Sequence, residues 1–340
     1  MRFTPLLLAA TLVVSATPAA AGPISALYVF GDSLSDNGNL SLIGATLGIS
    51  VPNAPYAPGR ATNGLTAAEV LAAQLGLPLT PALTPVVGGN NYAVIGAATG
   101  PVPRSFDPAV PDGPDNIVSS YGITMPVATG MYNAQLPLFL STLTGPIDPD
   151  ALFFIWGGAN DLFIAPSLDT ADDATENIQD MIWTLYAAGA RRFFVPNLPD
   201  LSLVPGGDPA LGPLTSYFNA QLAQRLSGPG MLPGIELLTF DTAEYFNKVV
   251  ADPSNYGFTN VDDECYQGFP LAAAGPTFQC ATPASYLFWD QVHPTASAHA
   301  LLGENFYEVV APLNTVPEPM TLTLAGLGVA AVVARRRRVA

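Results

Sequence analysis

Charged side chains make up only 11% of the 340 residues, and histidine and cysteine occur just twice each. A typical globular chain carries about a quarter charged residues, so this one has too few for a bundle of long helices with polar outer faces. Basic residues are the scarcer sign: eleven Lys and Arg stand against 27 Asp and Glu, a formal net charge of −16. That balance repels nucleic acid and anionic membrane surfaces and favours solubility. Two cysteines with no histidine cluster argue against a structural metal centre, which needs about four ligands. Apolar residues, in contrast, reach 49%, ample for one large domain, and 34 prolines with 31 glycines imply a loop-rich surface.

Neither end reads as part of that core. Met1-Arg2 gives a positive start, Leu6 to Val14 an apolar stretch and Ala19-Ala20-Ala21 a small-residue cleavage site, the pattern of a secretory signal over residues 1–21. At the other end Val316-Pro317-Glu318-Pro319 precedes an apolar run from Met320 to Ala334 and then Arg335-Arg336-Arg337-Arg338. That run of 15 residues makes a short transmembrane segment, below the roughly 20 that usually span a bilayer. Four arginines after it favour a cytoplasmic C-terminus. Residues 316–340 resemble a PEP-CTERM sorting signal of exported Gram-negative proteins. The resemblance implies an exosortase as partner, transient membrane association through the tail, and release or attachment at the cell surface; a permanent tail anchor is the alternative. Without both ends, residues 22–315 keep six basic against 26 acidic residues. Cys265 and Cys280 then meet an oxidising compartment and are expected to form one disulfide.

Between the ends, strand-length apolar runs alternate with helical stretches, the pattern of an α/β protein whose parallel sheet is covered on both faces. Strands are expected at residues 26–30, 152–156, 192–195 and 235–240, with a weaker fifth at 86–93. Thr66-Ala67-Ala68-Glu69 is a capping-box pattern for a helix over 65–75, closed by Gly76. Further helices are expected at 171–188, 214–226 and 295–310. Residues 101–129 and 252–283 lack sustained periodicity and read as surface excursions, the second stapled by the two cysteines.

Phe30-Gly31-Asp32-Ser33 closes the first of these runs and puts a serine hydroxyl at a strand exit. Such a hydroxyl becomes a nucleophile only with a neutral imidazole in reach and a carboxylate to fix the ring tautomer. Trp289-Asp290-Gln291-Val292-His293-Pro294 offers both, three residues apart, and Pro294 favours an extended or turn conformation at His293. His299 falls within the helix that follows. Acyl chemistry also needs donors aimed at a developing oxyanion. Gly157-Gly158-Ala159-Asn160-Asp161 can bring the Asn160 amide to the same edge of the sheet, and Asn91 to Ala97 can bring a glycine N–H there. Asp32 reads as a turn residue, Asp161 as a cap, and Trp156 and Trp289 as core.

The order of Gly31-Asp32-Ser33-Leu34-Ser35-Asp36-Asn37-Gly38-Asn39, Gly158-Ala159-Asn160-Asp161 and Asp290-Gln291-Val292-His293-Pro294 resembles the GDSL lipase/esterase family of the SGNH hydrolase superfamily, over about residues 26–312. Asn63-Gly64, Asn197-Leu198-Pro199 and Tyr256-Gly257-Phe258 fit the same pattern. The resemblance implies a flavodoxin-like, three-layer α/β/α sandwich. It further implies Ser33 as nucleophile, His293 as general base and then acid, and Asp290 as its orienting residue. The oxyanion hole would comprise the Ser33 and Gly96 N–H groups and the Asn160 side chain. Ile95 departs from the commoner Gly-Gly pair at the first of its two places. No cofactor is required, and the substrate would be a small-molecule, lipid or carbohydrate ester. An acyltransferase sharing the same acyl-enzyme and a non-catalytic surface or matrix-binding protein are the alternatives.

Overall fold

Aromatic and branched residues in strand-length runs build the sheet of this computed structural model, which describes residues 22–83, 88–100, 130–270 and 278–314. Leu27–Gly31 (β1), Leu152–Trp156 (β2), Arg192–Pro196 (β3) and Glu236–Phe240 (β4) pair in parallel, in the order β1-β2-β3-β4. Every residue of β2 and β3 is buried, which is why β2 and, after Arg192, β3 read as continuous apolar runs rather than as alternating ones.

Helices cover both faces. They are Asn39–Thr46 (α1), Ala67–Leu75 (α2), Leu136–Thr142 (α3), Ala159–Ile164 (α4), Leu168–Ala187 (α5), Leu211–Ser227 (α6), Thr242–Ala251 (α7) and Ala296–Val310 (α8). Phe30, Phe153, Ile155 and Phe193 pack against Ile178, Met181 and Ile182 of α5 and Phe218 of α6. Val29, Phe154, Trp156 and Phe194 point the other way, onto Leu71 of α2, Phe246 of α7 and Phe306 of α8. The result is the expected three-layer α/β sandwich. The capping box at the start of α2 forms with Thr66 and Glu69, and Gly76 ends that helix at φ 69°.

The expected fifth strand does not form among the described residues. Residues 84–87 lie outside them, and beyond these only Asn91 bridges Val29 at the free edge of β1. Three backbone bonds, Val29 N–H to the Asn90 carbonyl, Tyr92 N–H to the Val29 carbonyl and Val94 N–H to the Gly31 carbonyl, hold this segment to β1. Side-chain amides add to them: Asn90 Nδ2 donates to the carbonyls of Leu27 and Pro78, and Asn91 Nδ2 donates to the carbonyl of Ser35. Because this segment lies outside β1 while β2 lies inside it, the flavodoxin-like order is kept with its second strand reduced to one bridge.

The 252–283 excursion contains a turn of 3-10 helix at Pro253–Tyr256 and the strand Asn260–Glu264 (β5), which pairs with Tyr286–Phe288 (β6). Cys265 and Cys280 are joined in a disulfide. The expected signal, the 101–129 excursion and the C-terminal tail with its apolar run all lie outside the described residues. Among the described residues no helix is long and apolar enough to cross a membrane.

Candidate active site

The carboxyl end of β1 is fixed before it reaches the serine. Gly31 passes so close to β2 that a Cβ there would sit 2.5 Å from the Trp156 carbonyl oxygen. Gln135 holds the same residue from the other side, its Oε1 accepting the Gly31 N–H at 3.0 Å and its Nε2 donating to the Gly31 carbonyl at 2.8 Å. The chain then turns sharply. Asp32 accepts the Leu34 N–H on Oδ1 at 3.0 Å, and its carbonyl accepts the N–H groups of Ser35 and Asp36. Ser33 sits within that turn, 8% exposed.

His293 meets it from a loop 260 positions away: His293 Nε2 and Ser33 Oγ are 2.8 Å apart. The ring is held at its other nitrogen, with Nδ1 2.8 Å from each oxygen of Asp290. An ionised carboxylate can only accept, so Nδ1 carries the proton and Nε2 is left to accept the serine O–H. Asp290 Oδ1 also accepts the N–H groups of Val292 and His293, a local turn that ties the acid to the base. Asn63 Oδ1 accepts the Ala296 N–H and Thr62 Oγ1 donates to the Pro294 carbonyl, so the loop before α2 clamps the histidine loop at the start of α8.

Gly96 and Asn160 lie on two further segments joined to this edge. Val94 N–H donates to the Gly31 carbonyl, and residues 94–97 form a turn in which Ala97 N–H donates to the Val94 carbonyl. Gly96 occupies its third position at φ 81°, a conformation that favours glycine. Ile95, one place earlier, fills a small apolar cluster with Leu40, Ile43 and Val51, which accounts for a large side chain at a position where a glycine was the expectation. Asn160 opens α4 and donates from Nδ2 to the Ala97 carbonyl at 3.0 Å, leaving the second hydrogen of that amide. The N–H groups of Ser33 and Gly96 donate to no other protein group among the described residues. Among the described residues, three donors without another protein partner therefore lie in the serine turn and on the two segments joined to this edge.

Sequence reasoning had no signal for several groups that shape this edge. Asp36 accepts the N–H groups of Gly38, Asn39 and Leu40 at the start of α1, and its Oδ2 accepts the Ile95 N–H beside Gly96. Asp161, expected as a cap, does not cap α4 but accepts from the backbone N–H and hydroxyl of Thr99, so the Gly96 turn hangs between two carboxyls. Tyr56 donates to Asp290 Oδ2 at 2.6 Å from 234 positions away. Burial drives the carboxyls up: Asp32 and Asp36 to about 6 and Asp161 to about 7, each pulled back in part by the N–H groups it accepts. His299 lies inside α8 and accepts the Ala67 N–H on Nδ1; burial, with charge on His293, pushes it down to about 3, so it stays neutral. Trp156 belongs to the core below the sheet and donates to the Asn197 carbonyl. Trp289 packs with Tyr56 and Tyr266 beside the disulfide.

The sequence profile of the family described as GDSL-like Lipase/Acylhydrolase matches residues 27–306, and that of the PEP-CTERM protein-sorting motif matches residues 315–338. A GDSL esterase/lipase of Arabidopsis thaliana is 28% identical, over 86% of this chain and 85% of its own. Esterase EstA of Pseudomonas aeruginosa is 29% identical over 92% of this chain, which spans 52% of that protein. Among solved structures, a member of the lipolytic protein G-D-S-L family from Veillonella parvula covers 84% of this chain and 96% of its own, at 12% identity and a TM-score of 0.41.

Proposed function

The chain belongs to the GDSL-like lipase/acylhydrolase family and is a carboxylic ester hydrolase, and we propose that it works through an acyl-enzyme on Ser33. The observation that carries this reading is the unbroken hydrogen-bonded chain from Ser33 through His293 to Asp290, each link 2.8 Å long. Ser33 Oγ attacks the ester carbonyl as its proton passes to His293 Nε2, and Asp290 steadies the imidazolium that forms. Negative charge on the carbonyl oxygen is met by the Ser33 and Gly96 N–H groups and the free hydrogen of Asn160 Nδ2. His293 then protonates the departing alcohol. Water, deprotonated by the same ring, releases the acid from Ser33.

The sorting motif supports export to the surface of a Gram-negative cell. In this reading residues 1–21 direct secretion, residues 22–315 form the hydrolase, and an exosortase processes the tail after transient membrane association. The substrate is a small-molecule, lipid or carbohydrate ester. Ser33→Ala tests the mechanism: it should abolish release of a chromogenic alcohol from a short acyl ester and block labelling by a phosphonate, while the circular dichroism stays that of wild type. Unchanged turnover in a folded Ser33→Ala protein refutes Ser33 as nucleophile.

A further inference from the structure

Of the hydrogen bonds that Asp290 accepts, those from Val292 and His293 arise within its own turn, whereas the bond from the Tyr56 hydroxyl comes from the loop between α1 and α2. At 2.6 Å and fully buried, it has the length of a hydroxyl bonded to a charged oxygen. Tyr56 is itself wedged in place. Its ring meets Tyr266 edge-on at 5.2 Å and Trp289 at 6.1 Å, next to the residues that flank Cys265 and Asp290. Tyr266 N–H donates to the Trp289 carbonyl at 2.7 Å, and Cys265 N–H to the Phe288 carbonyl, so the disulfide segment backs the same wall.

We infer that Tyr56 is a positioning residue for the catalytic histidine, acting through Asp290. Its O–H stabilises the carboxylate charge, which weakens the pull of Asp290 on the ring proton, and fixes the plane in which both oxygens meet Nδ1. Removing that donor leaves the charge on Asp290 less stabilised where it faces His293 in a buried site, and strengthens the hold of the pair on a proton. His293 then stays charged to higher pH, where it cannot accept the serine proton. The other ionisable groups within reach of this pair are Asp32 on the β1 turn, His299 on α8 and Tyr266 after β5, and none of them donates to Asp290 among the described residues.

The inference rests on Ser33 acting as the nucleophile. Its test is Tyr56→Phe in the full chain, which keeps the ring against Tyr266 and Trp289 and removes only the hydroxyl. With a chromogenic ester, kcat should fall about tenfold at neutral pH with KM unchanged, since Tyr56 is buried and its hydroxyl is bonded to Asp290. The acid limb of kcat/KM should move up by about half a pH unit or more. A second readout needs no turnover: the downfield proton resonance of His293 Nδ1–H should shift as Asp290 becomes the stronger acceptor. If wild type and Tyr56→Phe give superimposable pH profiles and the same resonance, Tyr56 only fills space and the inference falls alone. If wild type fails to react with the phosphonate, the nucleophile reading and this inference fall together.

Discussion

Replacing Asp161 by asparagine should flatten the dependence of stability on pH. In the folded protein this carboxyl titrates at about 7, against 3.8 when unfolded, with burial as the main cause and the charge of Asp32 adding to the rise. A raised carboxyl favours folding fully below its unfolded pKa, and that contribution is lost as pH climbs through the folded one. A shift of about three units at 1.36 kcal/mol each makes the loss on the order of 4 kcal/mol, with about 3 kcal/mol of it falling between pH 5 and pH 8. Asparagine keeps an oxygen for Thr99 but sets an amide against the Thr99 N–H; that cost does not depend on pH, so the slope is the quantity to read. Relief at Asp32 acts in the same direction. Urea unfolding at pH 5 and pH 8, followed through the buried Trp156 and Trp289, measures it. Asp161→Asn should gain about 3 kcal/mol on wild type between the two pH values. Parallel behaviour, within about 1 kcal/mol, would refute an elevated Asp161.

Asn160→Ala should lower kcat by about 10²-fold or more with little change in KM, because its free amide hydrogen is placed for charge that exists only in the transition state. A rate within threefold of wild type would limit Asn160 to holding the Ala97 carbonyl. Opening the Cys265–Cys280 bridge with Cys280→Ser should cost about 3 kcal/mol, the entropy expected for closing a loop of 15 residues. Equal urea midpoints for wild type with and without reductant would show that the bridge adds nothing to stability.

The sheet and its large helices were legible because burial on both faces leaves a pattern in the sequence. β1 to β4 fall within a residue or so of their expected places, and α2, α5, α6 and α8 begin within three. Shorter elements leave less. α1 has eight residues and α4 six, and α1 is started by the Asp36 carboxyl rather than by an apolar stripe. The expected fifth strand is held to β1 by a few backbone bonds around a single Asn91 bridge, and the Asn90 and Asn91 amides that reach distant carbonyls leave no mark in the alternation of apolar residues.

The same contrast explains why Ser33, Asp290 and His293 could be proposed from motif order while Tyr56, Asp36 and Gln135 could not. Aspartate and histidine three residues apart announce a local turn, but Tyr56 reaches Asp290 across 234 positions and Gln135 reaches Gly31 across 104. Such contacts come from topology, which brings loops from far along the chain to the carboxyl edge of a parallel sheet. In a chain so poor in charge, the placement of the charges it buries is informative. Among the described residues the buried aspartates are Asp32, Asp36, Asp161 and Asp290, and all four hold backbone or ring N–H groups at this one edge. Three of them sit well above the ordinary carboxylate range, a standing cost in stability near neutral pH. The polar contacts that define the edge are therefore held against the preference of its own carboxyls, and packing of the sheet and helices has to supply the difference.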